Sequence, residues 1–196
     1  MHLILARHGQ SFSNVDSARF GHGDSPLTPL GEQQAHKLGV WLRAHQPDID
    51  LIAASPLKRA QLTAEIINQY LHLPMKIYDG LAEMERFDLP YLDRREHPFQ
   101  RETHYSLPDE DGYMEGYKAR VIEALEELTA DLIRPKPLLV VSHGGTSATI
   151  IRHILERHDL FIRTHNTAFH SLKWEDGRWH VLGMNLAPHL PYEMLT

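Results

Sequence analysis

The sequence predicts an α/β fold, a three-layer α/β/α sandwich with a mostly parallel sheet and a small cap region. Three observations carry that expectation. Residues 2–6, 51–54 and 138–141 form short, nearly unbroken apolar runs, as strands covered on both faces of a sheet must. Segments with apolar residues at helical spacing separate these runs. The first and third runs both end in His-Gly, at His8-Gly9 and His143-Gly144, and in open α/β sheets ligands bind outside the carboxyl ends of the strands.

The elements follow in order. The first strand delivers Arg7-His8-Gly9 into a loop. Thr28 is placed to cap a helix that opens at Pro29, with Ala35, Leu38, Trp41 and Leu42 on its inner face. After the strand at 51–54, a helix from about Leu57 carries Ala60, Ala64, Ile67 and Leu71 on one side. Val121, Ile122, Leu125 and Leu128 mark a helix over residues 117–132. The strand at 138–141 is opened by Pro137, closed by Ser142-His143-Gly144-Gly145, and followed by a helix over 146–155. Asp176-Gly177 between residues 169–174 and 179–182 signals a hairpin at a sheet edge. Between Glu83 and Tyr117 the periodicity dissolves into Pro, Tyr, His and mixed charge. The chain therefore reads as one domain over 1–196, with 84–117 as a cap or lid.

Composition removes several function classes. Twenty Lys and Arg against 26 Asp and Glu leave a net charge of −6, unsuited to a broad phosphate-backbone contact, so no nucleic-acid partner is expected. The absence of Cys removes thiolate nucleophiles, disulfides and Cys-based metal sites. No apolar run approaches a membrane span and the N-terminal run breaks at Arg7, so the protein is expected to be cytoplasmic with no membrane partner. Fifteen histidines include neither His-Glu-x-x-His nor His-x-His, and no metal or cofactor is expected. Protonating all of them would carry the formal charge from −6 to +9, so mild acid should matter.

The chemistry gathers on a few residues. A single strand-end histidine is readily explained as satisfying a buried carbonyl, but two, each followed by Gly, invite a joint role. Arg7 emerges from an apolar strand with a charge it cannot lose. Arg59, just inside the helix opened by Ser55-Pro56-Leu57, would alone pass as a solvated surface residue. At a helix N-terminus it can also strengthen a phosphate site. Arg7, His8, Arg59 and His143 together make a cationic cluster that suits a small, doubly charged anion.

These blocks resemble the histidine phosphatase superfamily, the phosphoglycerate-mutase-like group. The resemblance rests on Arg7-His8-Gly9 with Gln10, Ser11 and Asn14 behind it, Pro26-Leu27-Thr28 with Gly31 and Ala35, and Ser55-Pro56-Leu57-Lys58-Arg59-Ala60 with Thr63-Ala64. It continues through Val140-Val141-Ser142-His143-Gly144-Gly145 to Asn166-Thr167-Ala168. It implies that His8 takes a phosphoryl group as phosphohistidine and that Arg7, Arg59 and His143 complete the catalytic set. Gln10, Ser11, Asn14, Gly21 and Gly144 are the implied substrate-binding positions. Glu83 occupies the family's proton-donor position, with Glu85 as its rival because Met84-Glu85-Arg86-Phe87 replaces the Gly and Trp-Glu-Gly that often follow the acid.

The expected function is hydrolysis of small phosphomonoesters. A phosphoglycerate mutase uses the same residues but usually carries a larger insertion before the second histidine and a C-terminal extension, and this chain is short in both places. A non-catalytic phospho-ligand binder is the third reading, although such relatives usually show a broken catalytic set. The expected partner is a small phosphorylated substrate, and a homodimer is left open. Arg86, Arg94, Arg95 and Arg101 in the cap either pair with neighbouring acids or grip a second anionic group on the substrate.

Overall fold

The computed structural model describes residues 1–20, 23–85, 112–130 and 136–196. Gly21, the cap arginines and the expected helix end at Leu132 lie outside the described residues.

Among the described residues six strands form one sheet: β1 (His2–Arg7), β2 (Leu51–Ala54), β3 (Met75–Ile77), β4 (Pro137–Ser142), β5 (Phe169–Glu175) and β6 (Arg178–Leu186). Their spatial order is β3-β2-β4-β1-β5-β6. The pairs β1·β4, β2·β4 and β2·β3 are parallel, and the β5–β6 hairpin joins β1 antiparallel. The sheet is thus mostly parallel. The hairpin turns on Asp176 and Gly177, both at positive φ (51° and 72°), the geometry for which Asp-Gly is suited.

The period-2 alternation of the inner strands divides the core in two. Leu3, Leu5, Leu138 and Val140 face α5 (Tyr113–Thr129) and α6 (Gly144–Leu155), packing with Val121, Leu125 and Ile150. Ile4, Ala6, Leu139 and Val141 point the other way, against Leu38 and Leu42 of α3 (Pro29–His45) and Ala64 and Ile67 of α4 (Lys58–Leu71). Each fully buried Leu or Ile contributes about 1.5–3 kcal/mol by leaving water. A strand apolar at every position is what this two-sided burial requires.

Several boundaries differ from expectation for local reasons. β3 was not expected: it is three residues long, sits at the sheet edge and exposes Lys76, so it carries almost no apolar signal. Phe12–Val15 (α1) and Ser17–Phe20 (α2) are single helical turns with no buried residue. α5 begins at Tyr113 rather than 117, because Met114 and Tyr117 extend the buried stripe past the loop-like Gly116. α6 begins at Gly144 rather than 146, which makes His143 its N-cap and places both glycines in its first turn.

This topology sets the site. β1 and β4 are adjacent and parallel, with Arg7 in register with Ser142, so His8 and His143 leave the sheet side by side. The helix after β1 covers one face and the helix after β4 the other, which opens a crevice between the two strand ends.

Candidate active site

Beyond β1 the chain must cross the start of α3 at very short range. A Cβ on Gly9 would collide with the carbonyl oxygen of Gly31, and one on Gly31 with that of Gln10, so both positions exclude side chains. Thr28 Oγ1 accepts from the Gly31 amide at 3.0 Å and caps α3 as expected. Thr63, buried on α4, accepts the Gly9 amide at 3.0 Å and ties the loop to that helix.

His8 is buried between these elements, with 3% of its surface exposed. Its Nδ1 lies 2.7 Å from the carbonyl of Gly9, an acceptor, so the ring proton sits on Nδ1 and Nε2 keeps its lone pair. Arg59 Nε donates to that Nε2 at 3.2 Å. Burial, with the guanidinium groups of Arg7 and Arg59, holds the His8 pKa well below the usual histidine value and keeps the ring neutral at pH 7.

His143 packs edge-on against His8, ring centroids 5.1 Å apart, and its Nε2 meets Ser55 Oγ at 2.7 Å. Burial, then the positive charge of its neighbours, lowers its pKa likewise. Its Nδ1 and the Nε of Arg7 are buried without hydrogen-bond partners. Arg7 is held from the other side by Nη1, which donates to the Thr164 carbonyl at 2.6 Å.

Glu83 lies across the crevice. Its Oε2 accepts the Gly145 amide of α6 at 2.9 Å, and its Oε1 accepts from Tyr117 Oη and the Met84 amide, both at 3.1 Å. A Cβ on Gly145 would stand 2.5 Å from Glu83 Oε1, so the second glycine of the His-Gly-Gly run makes room for the carboxyl group.

A cavity of about 460 Å³ joins these groups, large enough for a phosphate and a compact organic moiety. Arg7, His8, Asn14, Arg59, Glu83 and Gly144 line it. His143 stands behind His8, wholly buried, and does not form its wall. Asn14 Oδ1 is taken by the Ser11 amide and Oγ and by Asn166 Nδ2, which leaves the Asn14 amide nitrogen for the cavity. Gln10 and Ser11 are not brought to the wall. Gln10 Oε1 accepts from Thr28 Oγ1 at 2.8 Å, and Ser11 is buried beneath Asn14. Glu85 also stays outside, its amide donating to Tyr113 Oη at 2.6 Å. Gly21 lies outside the described residues.

Two features had no counterpart in the sequence reading. Asp24 caps α4: its Oδ2 accepts the Lys58 amide at 2.8 Å and its Oδ1 lies 3.5 Å from Arg59 Nη1. The helix N-terminus expected to receive phosphate is therefore already occupied by this carboxylate, and what α4 gives the cavity is the Arg59 side chain. The second feature is the segment 162–165, whose Ile162, Arg163, Thr164 and His165 form one wall, with Ser13 and Thr196 nearby. Its only sequence signal was position, directly before Asn166-Thr167-Ala168.

Comparison with known proteins agrees with this architecture. The family model of the histidine phosphatase superfamily (branch 1) matches residues 3–187. The chain is 31% identical over 200 residues to the uncharacterized phosphatase PhoE of Bacillus subtilis, covering 96% of each protein. It is 30% identical over 164 residues to the 2,3-bisphosphoglycerate-dependent phosphoglycerate mutase of Cytophaga hutchinsonii, covering 78% of this chain and 76% of that protein. The solved alpha-ribazole phosphatase of Shigella flexneri shares the fold with a TM-score of 0.72 at 23% identity, over 95% of this chain and 97% of that one. The protein belongs to the histidine phosphatase superfamily.

Proposed function

We propose that this phosphatase hydrolyses small phosphomonoesters through a phosphohistidine formed on Nε2 of His8, with Glu83 as proton donor. The observation that carries the reading is the His8 ring itself. Its Nδ1 is committed to the Gly9 carbonyl, so the lone pair stays on Nε2, which accepts from Arg59 Nε at 3.2 Å beside a cavity flanked by two guanidinium groups. In the first step Nε2 bonds to phosphorus as the ester P–O bond breaks, and Glu83 gives a proton to the departing oxygen. In the second, water attacks phosphorus, Glu83 takes the proton, the P–N bond breaks, and phosphate leaves a neutral imidazole.

Arg7 and Arg59 balance the charge on the phosphoryl oxygens, as preorganised donors do in phosphoryl transfer. The unpartnered Arg7 Nε, on the cavity wall, supplies a further donor that a phosphoryl oxygen would satisfy. Ser55 Oγ, which accepts the Leu57 amide at 3.3 Å, meets His143 Nε2 at 2.7 Å and holds that ring behind His8. Asn14 adds its amide nitrogen. Glu83 is favoured over Glu85 because it lines the cavity and is oriented by α6.

The test uses one labelled phosphomonoester and two variants. Wild type should show rapid acid-labile, base-stable labelling and release free phosphate, and His8→Ala should lose both. Glu83→Gln should slow an alkyl phosphate by about 10² or more, the scale of general acid catalysis, while slowing p-nitrophenyl phosphate much less. Wild-type turnover by His8→Ala would sink the assignment.

A further inference from the structure

The wall formed by segment 162–165 holds a cation that the phosphoryl chemistry does not use. Arg163 lines the cavity and is exposed to it. Among the described residues it has neither an ion-pair nor a hydrogen-bond partner. Arg157 and Arg120, by contrast, are engaged: Arg157 meets both carboxylate oxygens of Asp159, and Arg120 donates to three backbone carbonyls.

The backbone on the C-terminal side of Arg163 is fixed to the reacting centre. The Thr164 carbonyl holds Arg7, and Thr164 Oγ1 meets Nε2 of the buried His170 at 2.9 Å. His170 Nδ1 accepts the Asn185 amide at 3.3 Å, and Asn185 Oδ1 accepts the His165 amide at 2.8 Å. The β5–β6 hairpin, whose pairing shifts register around Ser171, therefore clamps the segment from behind, as bulges beside functional sites do. Arg163 is an unpaired guanidinium on an anchored backbone, not the tip of a wandering loop.

Charge gives the ligand class. Among the described residues, the cavity is lined by the three guanidinium groups of Arg7, Arg59 and Arg163, with Glu83 and the last residue, Thr196, also on its wall, in a protein of net charge −6. Arg7 and Arg59 flank His8 and serve the phosphoryl group, so Arg163 is left for the part of the substrate that departs. Beside it Ile162 offers an apolar contact.

We propose that Arg163 is a specificity-determining residue that selects compact phosphomonoesters whose leaving group carries a carboxylate. This rests on the phosphatase reading above. A planar guanidinium recognises a carboxylate through two parallel hydrogen bonds, which a hydroxyl cannot reproduce.

The test compares 3-phosphoglycerate with glycerol 1-phosphate, which replaces the carboxylate by a hydroxymethyl group. Wild type should prefer 3-phosphoglycerate in kcat/KM by about tenfold or more. Arg163→Ala should erase most of that preference, losing at least about tenfold more on 3-phosphoglycerate than on glycerol 1-phosphate. Arg163→Lys should keep part of it, and Arg163→Glu should invert it. Equal efficiency of wild type on the two esters, or an equal loss on both in Arg163→Ala, overturns the inference and leaves the phosphatase reading standing. A wild type that turns over neither ester and takes no label on His8 fails that reading, and the inference falls with it.

Discussion

At the scale of single residues, the pocket depends on where backbone must come unusually close. Gly145 is the sharpest case, because its missing Cβ is the space that Glu83 Oε1 occupies. A methyl group there meets the far end of a flexible side chain, so the carboxyl group shifts while the fold stays. Gly145→Ala should therefore keep its melting temperature within a degree or two and lose activity on alkyl phosphates about as Glu83→Gln does. A thermal loss as large as the catalytic one would move Gly145 from positioning the acid to holding the fold. The residues in the reacting group were legible because rare types sit at strand ends: Arg7-His8 and His143 stand out against apolar runs. Arg163 and Asp24 were not, since a charged residue in a loop looks the same whether it points into a cavity or into water.

At the scale of elements, the geometry of Arg59 is set by how α4 begins. Leu57, its N-cap, has no side-chain acceptor, and Asp24, 34 residues before Lys58, supplies one. The same carboxylate touches Arg59, so one residue caps the helix and holds the guanidinium beside His8. Asp24→Ala should cost about 1 kcal/mol from the lost cap, a shift of about 2–4 °C in a protein of this size. It should also lower kcat on phosphomonoesters as Arg59 loosens, whereas Asp24→Asn should restore the stability better than the rate. A variant with full activity and a lowered melting temperature would leave Asp24 a cap alone. No sequence rule connects residue 24 to residue 58, because the pairing exists only after α3 and β2 have folded back across the sheet. The long helices and both-sides-buried strands, by contrast, were legible from period alone, and β3 escaped because an exposed edge strand of three residues has no period to read.

At the scale of the whole molecule, an acidic chain builds a cationic cavity and buries several of its fifteen histidines. Burial drives His170 and His189 down to a pKa of about 4, the latter helped by Lys37, and lowers His8 and His143 as well. A histidine whose folded-state pKa is depressed binds fewer protons when folded than when unfolded. Stability therefore rises with pH across the interval between the two values, and is lost as pH falls from about 6.5 toward about 4. At about 1.4 kcal/mol per pKa unit, fully buried His170 contributes on the order of 3 kcal/mol to that loss, and half-buried His189 less. The melting temperature should be nearly flat from pH 7 to 8 and fall by on the order of 10 °C or more between pH 6.5 and 4.5. His170→Asn, which keeps an acceptor for the Asn185 amide, should make that fall shallower. The measurement is a set of thermal unfolding curves for both proteins across this interval. A wild-type curve that stays flat to pH 4.5, or an equally steep fall in His170→Asn, would show that the buried imidazoles do not govern the acid limit.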